Sequence, residues 1–181
     1  MKIEREVRTF ADLSNGAYIL LEKSKENIEG SYYTTMASIL FSAFTFEAFL
    51  NHLGSKKIKF WDEIEIVRVL DKYTVLCKEF DINPQYGVRP YQTIKSLFQF
   101  RNAIAHGKSK ILEFEDIVDS SAKFEDYELK TKWEEYCTET NAQRAREDVR
   151  EIIIELSKKS GEGEYPFLGG FTSGHMSLEE L

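Results

Sequence analysis

Residues 90–107 read PYQTIKSLFQFRNAIAHG, and this stretch combines an apolar helical pattern with a cluster of polar side chains at its end. The apolar side chains that recur at the spacing of one helix face are Ile94, Leu97, Phe98 and Ile104. Pro90 suits the first position of such a helix, and Gly107 suits its end. The sequence therefore predicts a helix from Pro90 to about Gly107, with Arg101, Asn102 and His106 near its C-terminus.

Helical spacing also dominates the rest of the chain, and strand-like alternation is scarce. The other predicted helices are Thr9–Asn27, Ser31–Leu53, Trp61–Phe80 and Thr131–Ser160. The Trp61–Phe80 segment can form one helix or two, and residues 138–141 can interrupt the last helix. Residues 109–130 are expected to form a long connection, with short strand-like pieces at 111–117. These assignments predict an all-α fold.

Residues that favour a helix start and a helix end flank the second predicted helix. Ser31 is the expected N-cap, because a serine oxygen can accept a bond from a free backbone N–H. Gly54 is the expected stop, because glycine readily ends a helix. This helix is apolar over much of its circumference, so we expect it at the centre of a bundle.

The length and composition predict one compact domain. The chain has 181 residues, of which 42% are apolar, so it can bury a real core. We assign residues 1–161 to the helical domain. Residues 162–181 contain Gly163, Gly169, Gly170 and Gly174 and are expected to form a flexible tail.

The net charge limits the kinds of nucleic-acid contact that the protein can make, and the cysteine content indicates its cellular compartment. The net charge of -7 argues against a broad basic face that grips duplex nucleic acid, so any RNA contact should be local. Cys77 and Cys137 have no C-x-x-C pairing, which predicts reduced thiols in a cytoplasmic protein. The charged N-terminus lacks a signal-peptide core, and Ile39–Leu53 is too short and polar to cross a bilayer. We therefore expect no membrane association.

Arg101 lies in the middle of the apolar stripe of its helix, where a charge needs a partner. Glu47 occupies the same kind of position, between Phe44 and Leu50 in an otherwise apolar run. We therefore expect Glu47 and Arg101 to meet. The pair can simply fix the register of two helices, or it can also orient the guanidinium toward a cleft.

His106 follows Arg101 by five residues, which on a straight helix turns it about 140° away. Asn102 and His106 share a face instead, because they are four residues apart. A long arginine side chain can still reach around to complete a three-residue pocket. An imidazole can take a proton from a ribose 2′-hydroxyl, while guanidinium and amide groups stabilise charge on phosphoryl oxygens. Alternatively, His106 can act as a cation at the helix C-terminus.

The stretch Leu97–Lys108, LFQFRNAIAHGK, resembles the signature of the HEPN superfamily, in which an arginine, often followed by asparagine, precedes a histidine by four to six residues. The stretch Phe46–Asn51, FEAFLN, is similar to the preceding helix of several HEPN groups. The resemblance implies a four- to five-helix up-and-down bundle that forms homodimers, with the motifs of two subunits meeting at a cleft.

Many proteins of this superfamily are metal-independent endoribonucleases in toxin-antitoxin, phage-defence or stress systems. The resemblance therefore implies RNA as substrate, a 2′,3′-cyclic phosphate product, no cofactor or metal, and in toxin systems an antitoxin partner. His106 would be the catalytic acid or base, Arg101 the phosphate stabiliser and Asn102 a positioning residue, supported by Glu47. Lys108 can contact RNA phosphate or be an ordinary solvated lysine. The alternative is an inactive RNA- or nucleotide-binding or protein-interaction module.

Other candidate site residues carry weaker signals. His52 can approach the cleft or be a hydrogen-bonded residue near a helix end, and His175 is expected to have no catalytic role. The aromatic residues that can stack on bases, or belong to the core or an interface, are Tyr32, Tyr33 and Tyr91. The acidic runs at residues 113–116 and 134–135 are expected to be solvated faces. The sequence contains no phosphate-binding glycine loop and no hydrolase or metal-ligand helix motif.

Overall fold

A computed structural model of the protein describes residues 2–113, 128–168 and 172–175. Within these residues the chain forms seven α-helices and two short β-strands. The helices are α1 (Thr9–Glu26), α2 (Ser31–Lys57), α3 (Trp61–Ile64), α4 (Val69–Glu79), α5 (Tyr91–Ala105), α6 (Lys132–Tyr136) and α7 (Glu139–Lys159). The strands are β1 (Lys2–Arg5) and β2 (Thr172–His175). The described fold is thus all-α apart from one strand pair, as the spacing of apolar residues predicts.

The central helix is α2, which packs against α1, α3, α4, α5 and α7. Its buried apolar side chains point in several directions around the helix: Ile39, Ala43, Phe46, Phe49, Leu50 and Leu53. This confirms the central position predicted from its apolar circumference. The burial of these side chains is the main favourable term that holds the other helices around it.

By length and composition, α2 is the one helix among the described residues that could cross a membrane. Half of its most apolar window is buried inside the protein. Its apolar side chains therefore have a clear role in the core.

Polar contacts fasten α5, which carries the Arg101 motif, to α7. Asp148 is buried on α7 and accepts a bond of 2.6 Å from Nη2 of Arg89, just before α5. The hydroxyl of Thr93 also donates to this carboxylate. The Tyr91 hydroxyl donates to Glu155 over 2.7 Å. These bonds fix the start of α5, and so the position of the motif at its other end.

The N- and C-terminal segments meet in a two-stranded antiparallel ribbon, in which Lys2 pairs with His175 and Arg5 with Thr172. Residues that follow α7 also contact the helices, up to Leu168. Glu162 forms ion pairs with Lys57 at 2.7 Å and Lys56 at 3.4 Å. The first part of the segment assigned to a C-terminal tail, residues 162–168, therefore lies against the helical domain.

The N-cap and the C-terminal end predicted for the second helix were wrong, whereas the first helix ends at Glu26, within one residue of its predicted end. Gly30, with a φ of 77°, takes the N-cap position expected for Ser31. The second helix continues past Gly54 to Lys57. Gly54 allows close packing, because a Cβ atom there would lie 2.2 Å from the Trp61 ring.

The two segments that were predicted to form either one helix or two, Trp61–Phe80 and Thr131–Ser160, each form two helices. Residues 61–80 form α3 and α4, and the predicted last helix is split into α6 and α7 at Cys137 and Thr138. Thr131 and Glu134 form a capping box at the start of α6, and Thr138 caps α7 through the N–H of Asn141. Of the strand-like pieces predicted at 111–117, residues 111–113 form no strand, and 114–117 lie outside the described residues.

Candidate active site

Arg101 extends from α5 toward α2 and binds Glu47, so the predicted pair is present. Its Nη2 donates to Oε2 of Glu47 over 3.2 Å, and both side chains are about one-quarter exposed. Its Nη1 donates to Oδ1 of Asn102 over 3.1 Å. Two fixed acceptors therefore hold the planar guanidinium in one orientation, at the edge of the core and not within it.

Glu47 also lies near a second cation that sequence reasoning missed. Nζ of Lys72 on α4 is 3.9 Å from Oε1 of Glu47 and donates to Oδ1 of Asn51 over 3.0 Å. Lys72 is only 2% exposed, so its ammonium depends on these two partners for charge and hydrogen-bond compensation. The signal was available, because Lys72 lies three residues after Val69 and four before Leu76, both buried.

The charges of this cluster leave a local excess of positive charge. One carboxylate, Glu47, faces two cations, Arg101 and Lys72. In addition, Nε of Arg101 is buried and has no hydrogen-bond partner among the described residues. In a protein with a net charge of -7, this cluster is a place where an anion can be stabilised locally.

His106 is the C-cap residue of α5, and its side chain is exposed. Its backbone N–H donates to the carbonyl oxygen of Asn102 over 2.9 Å, which places the two residues one turn apart on the same side, as predicted. Gly107 allows the chain to turn closely here, because a Cβ atom would lie 2.8 Å from the Ala103 carbonyl oxygen. The imidazole is therefore presented to solvent at the end of a well-anchored helix.

Arg101, Asn102 and His106 line one open cleft of about 600 Å³ together with Glu47. The opposite wall is the segment that joins α3 to α4 and the first turn of α4, residues 66–71. A cleft of this size can hold a nucleotide-sized group. The structure thus places all three motif residues and their expected acidic support around the same solvent-filled space.

His106 also borders a second depression, of about 480 Å³. This depression contains Lys108 together with Lys110 and Trp133, and both lysines are exposed. Lys110 and Trp133 were not among the predicted site residues. A lysine pair beside an aromatic ring can contact the phosphates and a base of a single strand.

Two of the weaker candidates, His52 and Tyr91, do not line this cleft. His52 packs its ring against Phe10 and Phe49, with ring centroids 5.1 and 6.4 Å apart. Burial lowers the pKa of His52, and the nearby positive charges of Lys56 and Arg8 lower it further. The hydroxyl of Tyr91 is occupied by Glu155. His52 is therefore a packed residue and Tyr91 a structural one.

Tyr32, Tyr33 and Glu134 are not among the described residues that line the cleft. Tyr32 and Tyr33 pack edge to face, 5.5 Å apart. His175 belongs to the backbone pairing of β2. Glu134 belongs to the capping box of α6, while most of the acidic run at 113–116 lies outside the described residues.

The described residues contain no group of three or more histidine, cysteine or acidic side chains placed to hold a metal ion. The two cysteines, Cys77 and Cys137, are free thiols, and both are buried. Burial raises the pKa of each thiol to about 11, so both are poor nucleophiles near neutral pH. The motif residues and Glu47 bring a guanidinium, an amide, an imidazole and a carboxylate to the cleft.

Comparison with known proteins adds no relative to this picture: no protein-family model, no curated protein and no solved structure matches the chain.

Proposed function

We propose that this protein is a HEPN-like, metal-independent endoribonuclease. The observation that carries the proposal is the common cleft of Arg101, Asn102 and His106, in which Glu47 and Asn102 fix the guanidinium. A fixed cationic fork beside an accessible imidazole is the pair of groups that phosphodiester cleavage by a ribose hydroxyl needs. The proposal also rests on the resemblance of residues 97–108 to the HEPN signature.

In the proposed reaction, the imidazole of His106 accepts the proton of a ribose 2′-hydroxyl. The 2′-oxygen then forms a bond to the adjacent phosphorus, and the bond from phosphorus to the 5′-oxygen of the next nucleotide breaks. The leaving 5′-oxygen takes up a proton, and the products are a 2′,3′-cyclic phosphate and a 5′-hydroxyl. Arg101 stabilises the negative charge that grows on the phosphoryl oxygens, and Asn102 holds Arg101 in place.

One subunit supplies one histidine to the cleft, whereas the reaction needs a group that removes a proton and another that returns one. We propose that a second copy of the chain supplies the second group. Phe44 lies beside the site on α2, with its ring centroid 6.0 Å from the Arg101 guanidinium, and it is 37% exposed. A partner copy that covers Phe44 would bring its own cleft close to this one.

The alternative function is an inactive RNA- or nucleotide-binding module. One observation favours it: no described side chain forms a hydrogen bond with the His106 imidazole, although catalytic histidines are often oriented by such a bond. Under this alternative, the cleft binds phosphate but does not cleave RNA, and replacing His106 changes no cleavage.

The test is to incubate the purified protein with a mixed RNA pool, with and without EDTA, and to compare it with His106→Ala. We expect cleavage that survives EDTA and is lost in His106→Ala, while the helical content stays unchanged because His106 is exposed. His52→Ala is the matched control, since it removes a histidine that lies outside the cleft, and it should retain cleavage. Cleavage that persists in His106→Ala would contradict the proposal.

A further inference from the structure

A second polar groove lies between α1, α7 and the segment that follows α7. Its volume is about 510 Å³, within the usual range for small-molecule sites. It is lined by residues 6–8, by one face of α1, by Arg146 and Arg150 of α7, and by Phe167 and Leu168. None of these residues lines the cleft of Arg101 and His106, so the groove is a separate site.

Two arginines one turn apart on α7 are held against aromatic rings in this groove. The guanidinium carbon of Arg146 lies 4.7 Å from the ring centroid of Tyr18, and that of Arg150 lies 4.1 Å from the centroid of Phe167. Nη1 of Arg150 also donates to Oγ of Ser14 over 3.1 Å. Stacking fixes the plane of each guanidinium while leaving most N–H groups at its edge available to a ligand.

These two arginines have no carboxylate partner among the described residues, whereas the third arginine of the groove does. Arg8 binds Glu6 over 2.9 Å. The other acid that lines the groove is Asp12, so three arginines and two carboxylates line it, which leaves an excess of positive charge. Nε of Arg146 is buried without a hydrogen-bond partner among the described residues.

The closeness of the two arginines is electrostatically unfavourable. Burial lowers the pKa of Arg150, and the positive charge of Arg146 lowers it further. Two adjacent, partly desolvated cations cost free energy unless an anion compensates them. A fold that keeps them stacked and aligned is therefore prepared for a negatively charged ligand.

We propose that this groove binds the phosphate group of a small phosphorylated molecule. A phosphate carries up to two negative charges and several acceptor oxygens, so it can accept bonds from two guanidinium forks at once, whereas a carboxylate offers two oxygens and one charge. A groove of about 510 Å³ can hold a small phosphorylated molecule. The site does not depend on the function proposed for His106.

The first test uses the unmodified protein, with inorganic phosphate and pyrophosphate as probes in a two-dimensional NMR titration. We expect the amide signals of Ser14, Asn15 and Tyr18 to shift with saturation, independently of any shift at Asn102 and His106, whose cleft also offers cationic groups to phosphate. Shifts confined to Asn102 and His106, or no saturable shift at either site, would overturn the proposal.

The second test compares variants by calorimetry with pyrophosphate. Arg146→Gln combined with Arg150→Gln should weaken binding by about tenfold or more, because charge-assisted hydrogen bonds are lost. Arg144→Gln on the same helix should bind normally, because Arg144 is exposed and outside the groove. Equal binding by the double variant would refute the site. Tighter binding of a 5′-hydroxyl RNA oligomer than of pyrophosphate, lost in the double variant, would refute a small-molecule ligand.

Discussion

Glu47 is the residue on which the candidate site depends, because it compensates two cations from two different helices. Its pairing with Arg101 was predictable, since each charge interrupts an apolar stripe and the two have opposite signs. Its contact with Lys72 was not predicted. The spacing of Lys72 from Val69 and Leu76 indicates that it lies on the buried face of α4, but spacing within one helix does not show which other helix that face contacts.

Replacing Glu47 by glutamine should lower the free energy of unfolding by about 1–3 kcal/mol, because the buried Lys72 ammonium loses its carboxylate. Urea denaturation measures this change. Glu22→Gln is the control, because Glu22 pairs with Lys25 at the surface and its loss should cost about 0.5 kcal/mol or less. Equally small changes in the two variants would show that Lys72 does not depend on Glu47.

His52 should make the fold sensitive to mildly acidic pH. Its pKa in the folded protein lies below 6.5, so the unfolded chain binds a proton more readily than the folded one. Stability should therefore be full above pH 6.5 and fall as the pH drops below that value. The measurement is the urea midpoint between pH 7.5 and 5.5, which should fall less steeply in His52→Gln. The same slope in both proteins would contradict this role for the packed imidazole.

The existence of the long helices was predictable from apolar spacing, while some of their ends were not. Glycine is an ambiguous signal, because it can end a helix or allow another segment of the same chain to pack closely against it. Gly107 does the former at the end of α5, and Gly54 does the latter beneath Trp61. Only the position of Trp61, seven residues later, distinguishes the two roles, and that position depends on tertiary packing.

Gly54→Ala should therefore destabilise the protein by about 1–3 kcal/mol or more, because the added methyl group would overlap the buried Trp61 ring. Thermal or urea unfolding checks this value. Gly87→Ala provides the comparison, because no atom lies within 4 Å of the position of its Cβ, and it should change stability by about 0.5 kcal/mol or less. A Gly54→Ala protein as stable as Gly87→Ala would mean that α2 and α3 do not pack as described.

At the scale of the whole molecule, an all-α fold around α2 was predictable, but the pairing of β1 with β2 was not. Four-residue strands at opposite ends of the chain carry no periodic pattern that reveals their partner. The groove between α1 and α7 was missed for the same reason. Its arginines and aromatic rings are ordinary surface residues in the sequence and become a cluster only when the helices pack.

We expect the protein to sediment as a dimer, at twice the 21.1 kDa mass of one chain. Phe44→Arg should produce monomers and lose RNA cleavage, because it places a charge on the exposed face of α2 beside Arg101. Ile28→Arg is the matched control, since Ile28 is 91% exposed in the turn after α1 and its replacement should leave the dimer intact. A wild-type monomer that cleaves RNA would refute the two-copy site.

The most direct test of the proposed chemistry uses one RNA oligomer that the purified protein cleaves in EDTA, and the same oligomer with a single 2′-deoxy nucleotide at the cleaved position. We expect a product that ends in a 2′,3′-cyclic phosphate, no cleavage at the deoxy position, and no cleavage of either oligomer by His106→Ala. Cleavage at the deoxy position, or a 3′-hydroxyl product formed directly, would contradict attack by the ribose hydroxyl.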